Sequence, residues 1–346
     1  MTGADPARSF MRAEIEEIPE AAARFLAGSR GEIRAASAAL SDRAPDLFVT
    51  VARGSSDHAA TYFKYVAELG AGLPVASVGP SIASIYRRPL RLGRAAAIGV
   101  SQSGQSPDIV EMMRAAAAGG ALTIAITNFA ESPLGRAVGQ VLPLRVGAEV
   151  SVAATKTFVV SVLAGLALLA DWQADAELSR AVEAAPEAFA RALACDWGAL
   201  EERLATAESL FVLGRGPGFA IANEMALKFK ETCGVHAESY SAAEVMHGPA
   251  ALVRARFPVL ALGVEDEALP ELSATAERLA GQGADVFLTA GAVAGATPLP
   301  HVPDLHPRLA PLALIVSFYV FVERLARRKG LDPDTPPNLR KVTATL

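Results

Sequence analysis

The chain repeats itself, and that repeat restricts the fold more than any other feature. The stretch 48-FVTVARGSSDHAA-60 aligns with 210-LFVLGRGPGFAIA-222, so that Arg53-Gly54 recurs as Arg215-Gly216, 162 residues on. The same offset carries 96-AAIGVS-101 onto 258-PVLALG-263 and 119-GGALTIAIT-127 onto 281-GQGADVFLT-289. Three short apolar runs therefore fall in register without a gap. At a slightly smaller spacing each copy closes on a charge-free run of 14 residues, Thr157 to Ala170 and Leu309 to Val322. Short continuous apolar strands alternating with helices indicate βαβ units in a parallel sheet covered on both faces. The expected fold class is α/β, with two tandem αβα sandwiches, each a doubly wound, flavodoxin-like parallel sheet. One large Rossmann sheet is the alternative, and the regular offset favours two domains.

The expected boundaries follow. Residues 1–46 form an Ala-rich helical segment, 47–173 the first domain, 174–207 a helical linker and 208–330 the second domain. The remaining stretch, 331-LDPDTPPNLRKVTATL-346, is too rich in proline for an ordinary helix. It reads as a tail laid over the surface, closing the active site.

Half of the residues are hydrophobic, a fifth are charged, and the net charge is −5. That balance describes a chain with a large core and argues against a nucleic-acid partner, whose phosphates recruit basic patches. The 14-residue apolar runs are too short to span a bilayer, so no membrane partner is expected. Cys195 and Cys233 stand far apart with no metal or redox spacing. Buried thiols in a reducing compartment fit better than one disulfide. The start, 1-MTGADPARSFMRAEIEEIPE-20, is polar and acidic rather than a signal peptide. A cytoplasmic location is expected.

In doubly wound sheets, ligands bind where strand ends lead into helix N-termini. Two first-copy segments occupy such places: 52-ARGSSDHAA-60 and 101-SQSGQSP-107. In the second, Ser106 is a natural N-cap and Pro107 a natural first helical residue. Helix-start N–H groups, serine hydroxyls and the Gln102 amide can hold a phosphate monoester without lysine or metal. The same residues would also serve as a simple turn and cap. The repeat favours the anion site, because the second copy has the acidic 262-LGVEDEALPE-271 there. The fold does not need those serines.

The second copy offers other chemistry in 223-NEMALKFKETCGVHAESYSAAEVMHGPAALV-253. Glu224, Lys228 and Glu231 stand at i, i+4 and i+7, beside an apolar stripe of Ile221, Met225 and Phe229. A solvated Glu–Lys face is one reading. The other joins a carboxylate base and a lysine to His247, which lies in a polar loop before Gly-Pro.

These segments resemble the sugar isomerase (SIS) fold, in particular the double-SIS isomerase domains of glucosamine-6-phosphate synthases. The resemblance covers residue 47 or so to the end. It rests on 101-SQSGQS-106, 147-GAEVSVAATKTF-158, 213-LGRGPGFAIANEMALKFKE-231, 236-HAESYSAAEVMHGPAAL-252 and 338-NLRKVT-343. It implies that the phosphate of a hexose or hexosamine 6-phosphate lies against Ser101, Gln102, Ser103 and Ser106, with Ser55 and Ser56. Val152 and Ala154 would line the sugar. Ala154 stands where the family often has serine, which removes one hydroxyl contact. By the same resemblance Glu231 shuttles a proton between sugar C1 and C2, and Lys228 stabilises the enolate-like charge. His247 opens the ring and comes from the partner subunit of a homodimer. Lys341 forms a Schiff base with the open-chain keto sugar. The first loop reads Ala52-Arg53-Gly54 where the synthases have Cys-Gly, leaving Arg53 either to reach the ligand or to act as a scaffold charge.

That chemistry is coherent in itself. Moving a proton between adjacent carbons needs one carboxylate above a planar enediol or enolamine. A neutral lysine can capture a carbonyl, and a phosphate anchor supplies binding energy far from the reacting carbons. No cofactor is called for. No metal is expected either, since His58, His236, His247, His301 and His306 show no zinc spacing. The synthases open with a glutaminase whose cysteine is exposed at its start. Here Thr2 follows Met1 and fewer than 50 residues precede the first strand, so glutamine hydrolysis is not expected of this chain.

The leading expectation is conversion of glucosamine 6-phosphate to fructose 6-phosphate and ammonia. Aldose–ketose isomerisation and deglycation of a fructosamine 6-phosphate are the enzymatic alternatives. A non-catalytic phosphosugar sensor is the alternative of another class. It would keep the phosphate loop and not the acid/base set.

Overall fold

The computed structural model describes residues 8–341. Three helices open it: α1 (Phe10–Glu16), α2 (Ile18–Gly28) and α3 (Arg30–Arg43). The first sheet region then runs β1 (Leu47–Val51), α4 (Ser55–Ala71), β2 (Val75–Ser77), α5 (Ser81–Ser84), β3 (Ala95–Val100) and α6 (Pro107–Ala118). It continues with β4 (Leu122–Thr127), β5 (Gln140–Pro143) and α7 (Lys156–Trp172). Helices α8 (Ala176–Ala192) and α9 (Gly198–Leu204) lead to the second region. That region comprises β6 (Ser209–Gly214), α10 (Pro217–Cys233), β7 (His236–Ser241), β8 (Pro258–Ala261), α11 (Leu269–Gly281), β9 (Asp285–Leu288), β10 (Ala296–Pro298) and α12 (Ala310–Arg328).

The first sheet has the order β2-β1-β3-β4-β5 and the second β7-β6-β8-β9-β10, every pairing parallel. Read from the matching edge, the two orders are the same. The three apolar runs of each copy are its central strands, β1, β3 and β4 or β6, β8 and β9. Each sheet also carries two edge strands that the apolar pattern did not predict. They are short or polar: β2 is Val-Ala-Ser, and β7 is His-Ala-Glu-Ser-Tyr-Ser. Edge strands bury less side chain, so hydrophobicity does not mark them.

The chain divides into two compact units with interleaved sequence. The first-sheet unit holds Ile18–Glu149, Lys156–Pro186 and the described residues from Arg340. The second-sheet unit holds the described residues up to Glu17, Val150–Thr155 and Glu187–Leu339. In the first, α7 is buried from Lys156 to Ala170 and packs against α2, α3 and α4. Phe48 meets Phe63 and Trp172 edge-on at 5.2 and 5.6 Å. In the second, α12 is the buried helix, packed on α1, α9 and α10. Trp197, Phe229, Phe318 and Phe321 form its aromatic cluster. The two 14-residue runs are therefore core helices, and no described helix is long and apolar enough to cross a membrane. Beyond α12, described residues 331–341 form bends and turns with no helix. The last motif residues, Val342 and Thr343, lie outside the described residues.

Candidate functional site

In the first-sheet unit, β1 and β3 are neighbours whose connections leave in opposite senses, β1 to β2 and β3 to β4. This is the switch point at which an open α/β sheet leaves a crevice. The β1–α4 and β3–α6 loops both open there. Gly54 caps α4 at φ 55°, ψ −135°, and Gly216 repeats that conformation before α10 at φ 53°, ψ −134°. A side chain is strained at such a positive φ. Ser55 and Ser56 follow in the first turn of α4 and are half-buried. Burial raises the pKa of Asp57 in the same turn, against the opposing pull of His58 and Arg53.

The serine loop is held by its own backbone. Ser101 N–H donates to the Ile126 carbonyl at 3.1 Å, Asn128 N–H to Gln102 at 3.1 Å and Leu134 N–H to Gly104 at 3.1 Å. Ser101 Oγ accepts from Gly104 N–H, and Ser103 Oγ from Gln105 N–H, each at 3.2 Å. Gly104 has φ 61°, and a Cβ there would stand 2.1 Å from Ser132 Oγ, so only glycine fits. Ser106 is the N-cap residue of α6, yet its side chain makes no cap bond. The capping reading of Ser106 is thus only half met: the residue sits at the cap without its hydroxyl serving the helix.

Arg53 pairs with the scaffold. Its Nε and Nη2 lie 2.8 and 2.7 Å from Oδ2 of Asp108, a fully buried carboxylate in the first turn of α6. Arg215 does the same in the second copy. Its Nε donates to Glu271 in the first turn of α11 at 2.9 Å, and its Nη1 to Ser241 Oγ at 2.9 Å. Each copy thus ties its first loop to the helix after its third strand. The acidic loop of the second copy has its own use, since Asp266 Oδ1 accepts from Ala268 N–H at 2.9 Å.

In the second-sheet unit, α10 carries the titratable cluster. Glu224 and Lys228 are fully buried and the Glu231 side chain is 20% exposed. Lys228 Nζ is 3.3 Å from Glu224 Oε1 and also donates to Glu231 Oε2. Tyr319 of α12 donates to Glu224 Oε1 at 3.3 Å. The solvated-face reading of this helix is therefore wrong: the face is turned into the protein. Burial pulls the Lys228 pKa down, but Glu224 and Glu231 outweigh it and the net shift is upward, so the group is an ammonium at neutral pH.

His247 is exposed, at the end of a short 3-10 turn (Glu244–Met246), and Gly248 follows at φ 137°. Among the described residues no hydrogen bond or ion pair joins its ring to Lys228 or Glu231. Val152 and Ala154 are half-buried in the loop before α7, in the same unit as α10. Lys341 makes a 2.7 Å ion pair with Oε2 of Glu149 in the first-sheet unit. Glu149 is fully buried and also accepts from Thr157, at 3.1 Å through N–H and 2.7 Å through Oγ1. Sequence reasoning passed over Glu149 although it lies inside a quoted motif, because its partner is 192 residues away. Among the described residues no three His, Cys, Asp or Glu side chains gather as a metal site needs.

Two doubly wound parallel sheets, one with a serine-lined switch point and one with a buried Glu–Lys–Glu cluster on its helix, define a duplicated α/β protein. The SIS domain profile matches residues 46–170 and 203–291, and the chain belongs to the SIS family. It is 51% identical to a crystallised candidate phosphosugar isomerase from Silicibacter pomeroyi DSS-3, with a TM-score of 0.92 over 94% of this chain and all of that one. It is 32% identical to the glutamine–fructose-6-phosphate aminotransferase of Pectobacterium atrosepticum over 96% of its own length. That match spans only 58% of the aminotransferase. The glucosamine-6-phosphate deaminase of Thermotoga maritima shares the fold at 22% identity, with a TM-score of 0.76 over 97% of this chain and all of that one.

Proposed function

We propose that the protein is a phosphosugar isomerase-deaminase that converts glucosamine 6-phosphate, or a close hexosamine 6-phosphate, to fructose 6-phosphate and ammonia. The observation that carries this reading is the α10 cluster. A part-exposed carboxylate, Glu231, is held by an ammonium that is itself fully buried. A sensor needs only the phosphate loop. It gains nothing from the several kcal/mol that burying such charges costs.

The steps follow from these side chains. His247 moves the ring proton that opens the pyranose, reaching the sugar from the second subunit of a homodimer. The serine loop, with Ser55 and Ser56, holds the 6-phosphate through N–H and hydroxyl donors. Glu231 takes the proton from C2 of the open aldehyde and returns it to C1, and the Lys228 charge stabilises the anion between. The product is a C2 imine. Lys341 attacks the imine carbon and ammonia departs, leaving a lysine Schiff base that water then hydrolyses to fructose 6-phosphate and the free amine. An amine attacks a carbonyl only when neutral. Glu149 Oε2, 2.7 Å from the Lys341 Nζ, takes that proton in this reading.

Ammonia and fructose 6-phosphate are assayed after incubation with glucosamine 6-phosphate, beside Glu231→Gln. The parent is expected to release both in equal amounts and the variant at least about a hundredfold more slowly, the lower end of the range for a lost general base. No ammonia from any hexosamine phosphate would sink the deaminase reading. Interconversion of hexose and ketose phosphates without ammonia would point to plain isomerisation.

A further inference from the structure

Helix α1 lies outside both segments matched to the SIS profile, yet it reaches a loop assigned to the sugar. We propose that Glu14 of α1 is a positioning residue for Val150–Thr155, fixing the backbone that presents Val152 and Ala154. The inference rests on the functional reading above for the loop's role and on the geometry alone for Glu14.

Glu14 is 5% exposed and its carboxylate bonds this loop. Oε1 accepts from Val150 N–H and, at 3.3 Å, from Ser151 N–H, while Oε2 accepts from Ser151 Oγ. The next amide, Val152 N–H, donates to the Asp334 carbonyl at 3.1 Å. Three consecutive amides are thus held by residues remote in sequence. The loop has no helix or strand of its own to satisfy them, and a buried N–H without an acceptor is costly.

The clamp is itself anchored. The Asp334 side chain accepts from Phe10 and Met11 N–H at 2.8 and 2.7 Å, capping the start of α1. Arg12 pairs with Glu323 at 2.8 Å, and Ser9 Oγ donates to Glu323 at 2.8 Å. Glu323 lies one turn along α12 from Tyr319, the donor to Glu224. One run of contacts therefore joins the helix carrying Lys228 to α12, then α1, then the sugar loop, all within the second-sheet unit. Chains of packed, hydrogen-bonded elements of this kind hold site groups to the fraction of an ångström that catalysis needs.

The experiment compares the parent with Glu14→Ala, Glu14→Gln, Ser151→Ala and the Glu14→Ala/Ser151→Ala pair. Amide hydrogen exchange at residues 150–152 is read without ligand. Fructose 6-phosphate binding is read by calorimetry, together with melting temperature. In Glu14→Ala these amides are expected to exchange at least tenfold faster and the sugar to bind about tenfold more weakly, with melting shifted by only a few degrees. Glu14→Gln, which keeps one acceptor oxygen, is expected to recover part of both losses. The double variant is expected to lose less than the sum of its singles, because both remove the contact between Glu14 and the Ser151 hydroxyl. Unchanged exchange at 150–152, or losses that add fully in the double variant, would overturn the assignment. Should Glu14→Ala fail to fold, Ser151→Ala and Glu14→Gln decide by the same criteria. A parent chain that binds no phosphosugar would sink the functional reading, whereas the exchange data judge Glu14 independently.

Discussion

Burial alone would lower the pKa of Lys228, and the two carboxylates beside it reverse that direction. A lysine with a raised folded pKa contributes stability that is complete below its ordinary 10.5 and is lost as pH rises through the folded value. Lys228→Met leaves Glu224 buried without its cation and is expected to cost about 3–5 kcal/mol in urea denaturation. Lys228→Met/Glu224→Gln is expected to regain most of that stability and none of the activity. The melting temperature of the parent relative to this double variant should stay level from pH 7 to 10 and narrow only above. At this scale the sequence was legible where partners lie within two helical turns, as with Glu224, Lys228 and Glu231. It was silent on the contacts of Glu14 with Val150, Glu149 with Lys341 and Asp334 with Phe10, which span 136, 192 and 324 residues. Nothing local marks such pairs. His247 was readable as a candidate, but its exposed ring joins neither Lys228 nor Glu231 in this chain, which leaves its role to the proposed dimer.

Among the elements, the serine loop turns on Gly104. Gly104→Ala must place a Cβ against Ser132 Oγ at a left-handed φ. Strain of this kind costs about 1–3 kcal/mol. The expected outcome is a loss of that size in urea denaturation, with phosphosugar binding weakened at least tenfold by calorimetry. Wild-type affinity in this variant would show that the loop does not hold the phosphate. The central strands and both buried helices were readable from hydrophobic pattern because burial on every side leaves an unbroken apolar run. The edge strands were not, since β2 has only three residues and β7 alternates through Glu238 and Tyr240, which hydrogen-bond each other at 2.6 Å.

For the whole molecule, the duplication sets an expectation about number. The first copy has a serine loop at its switch point and the second an acidic loop already committed to its own helix start. Calorimetry with fructose 6-phosphate should give one site per chain, and none after Ser101→Ala/Ser103→Ala/Ser106→Ala. Two sites per chain would show that the second copy still binds phosphate. The tandem architecture was legible as a whole because a repeat in register survives even where the residues have diverged. What no repeat could reveal is the interleaving, in which α1 and Val150–Thr155 belong with the second sheet. That interleaving has a consequence for descent. A gene cut midway between the two copies would deliver a second half stripped of its first helix and of the loop that helix holds. With Asp334 holding the start of α1, the second half depends on residues that stand before the first copy.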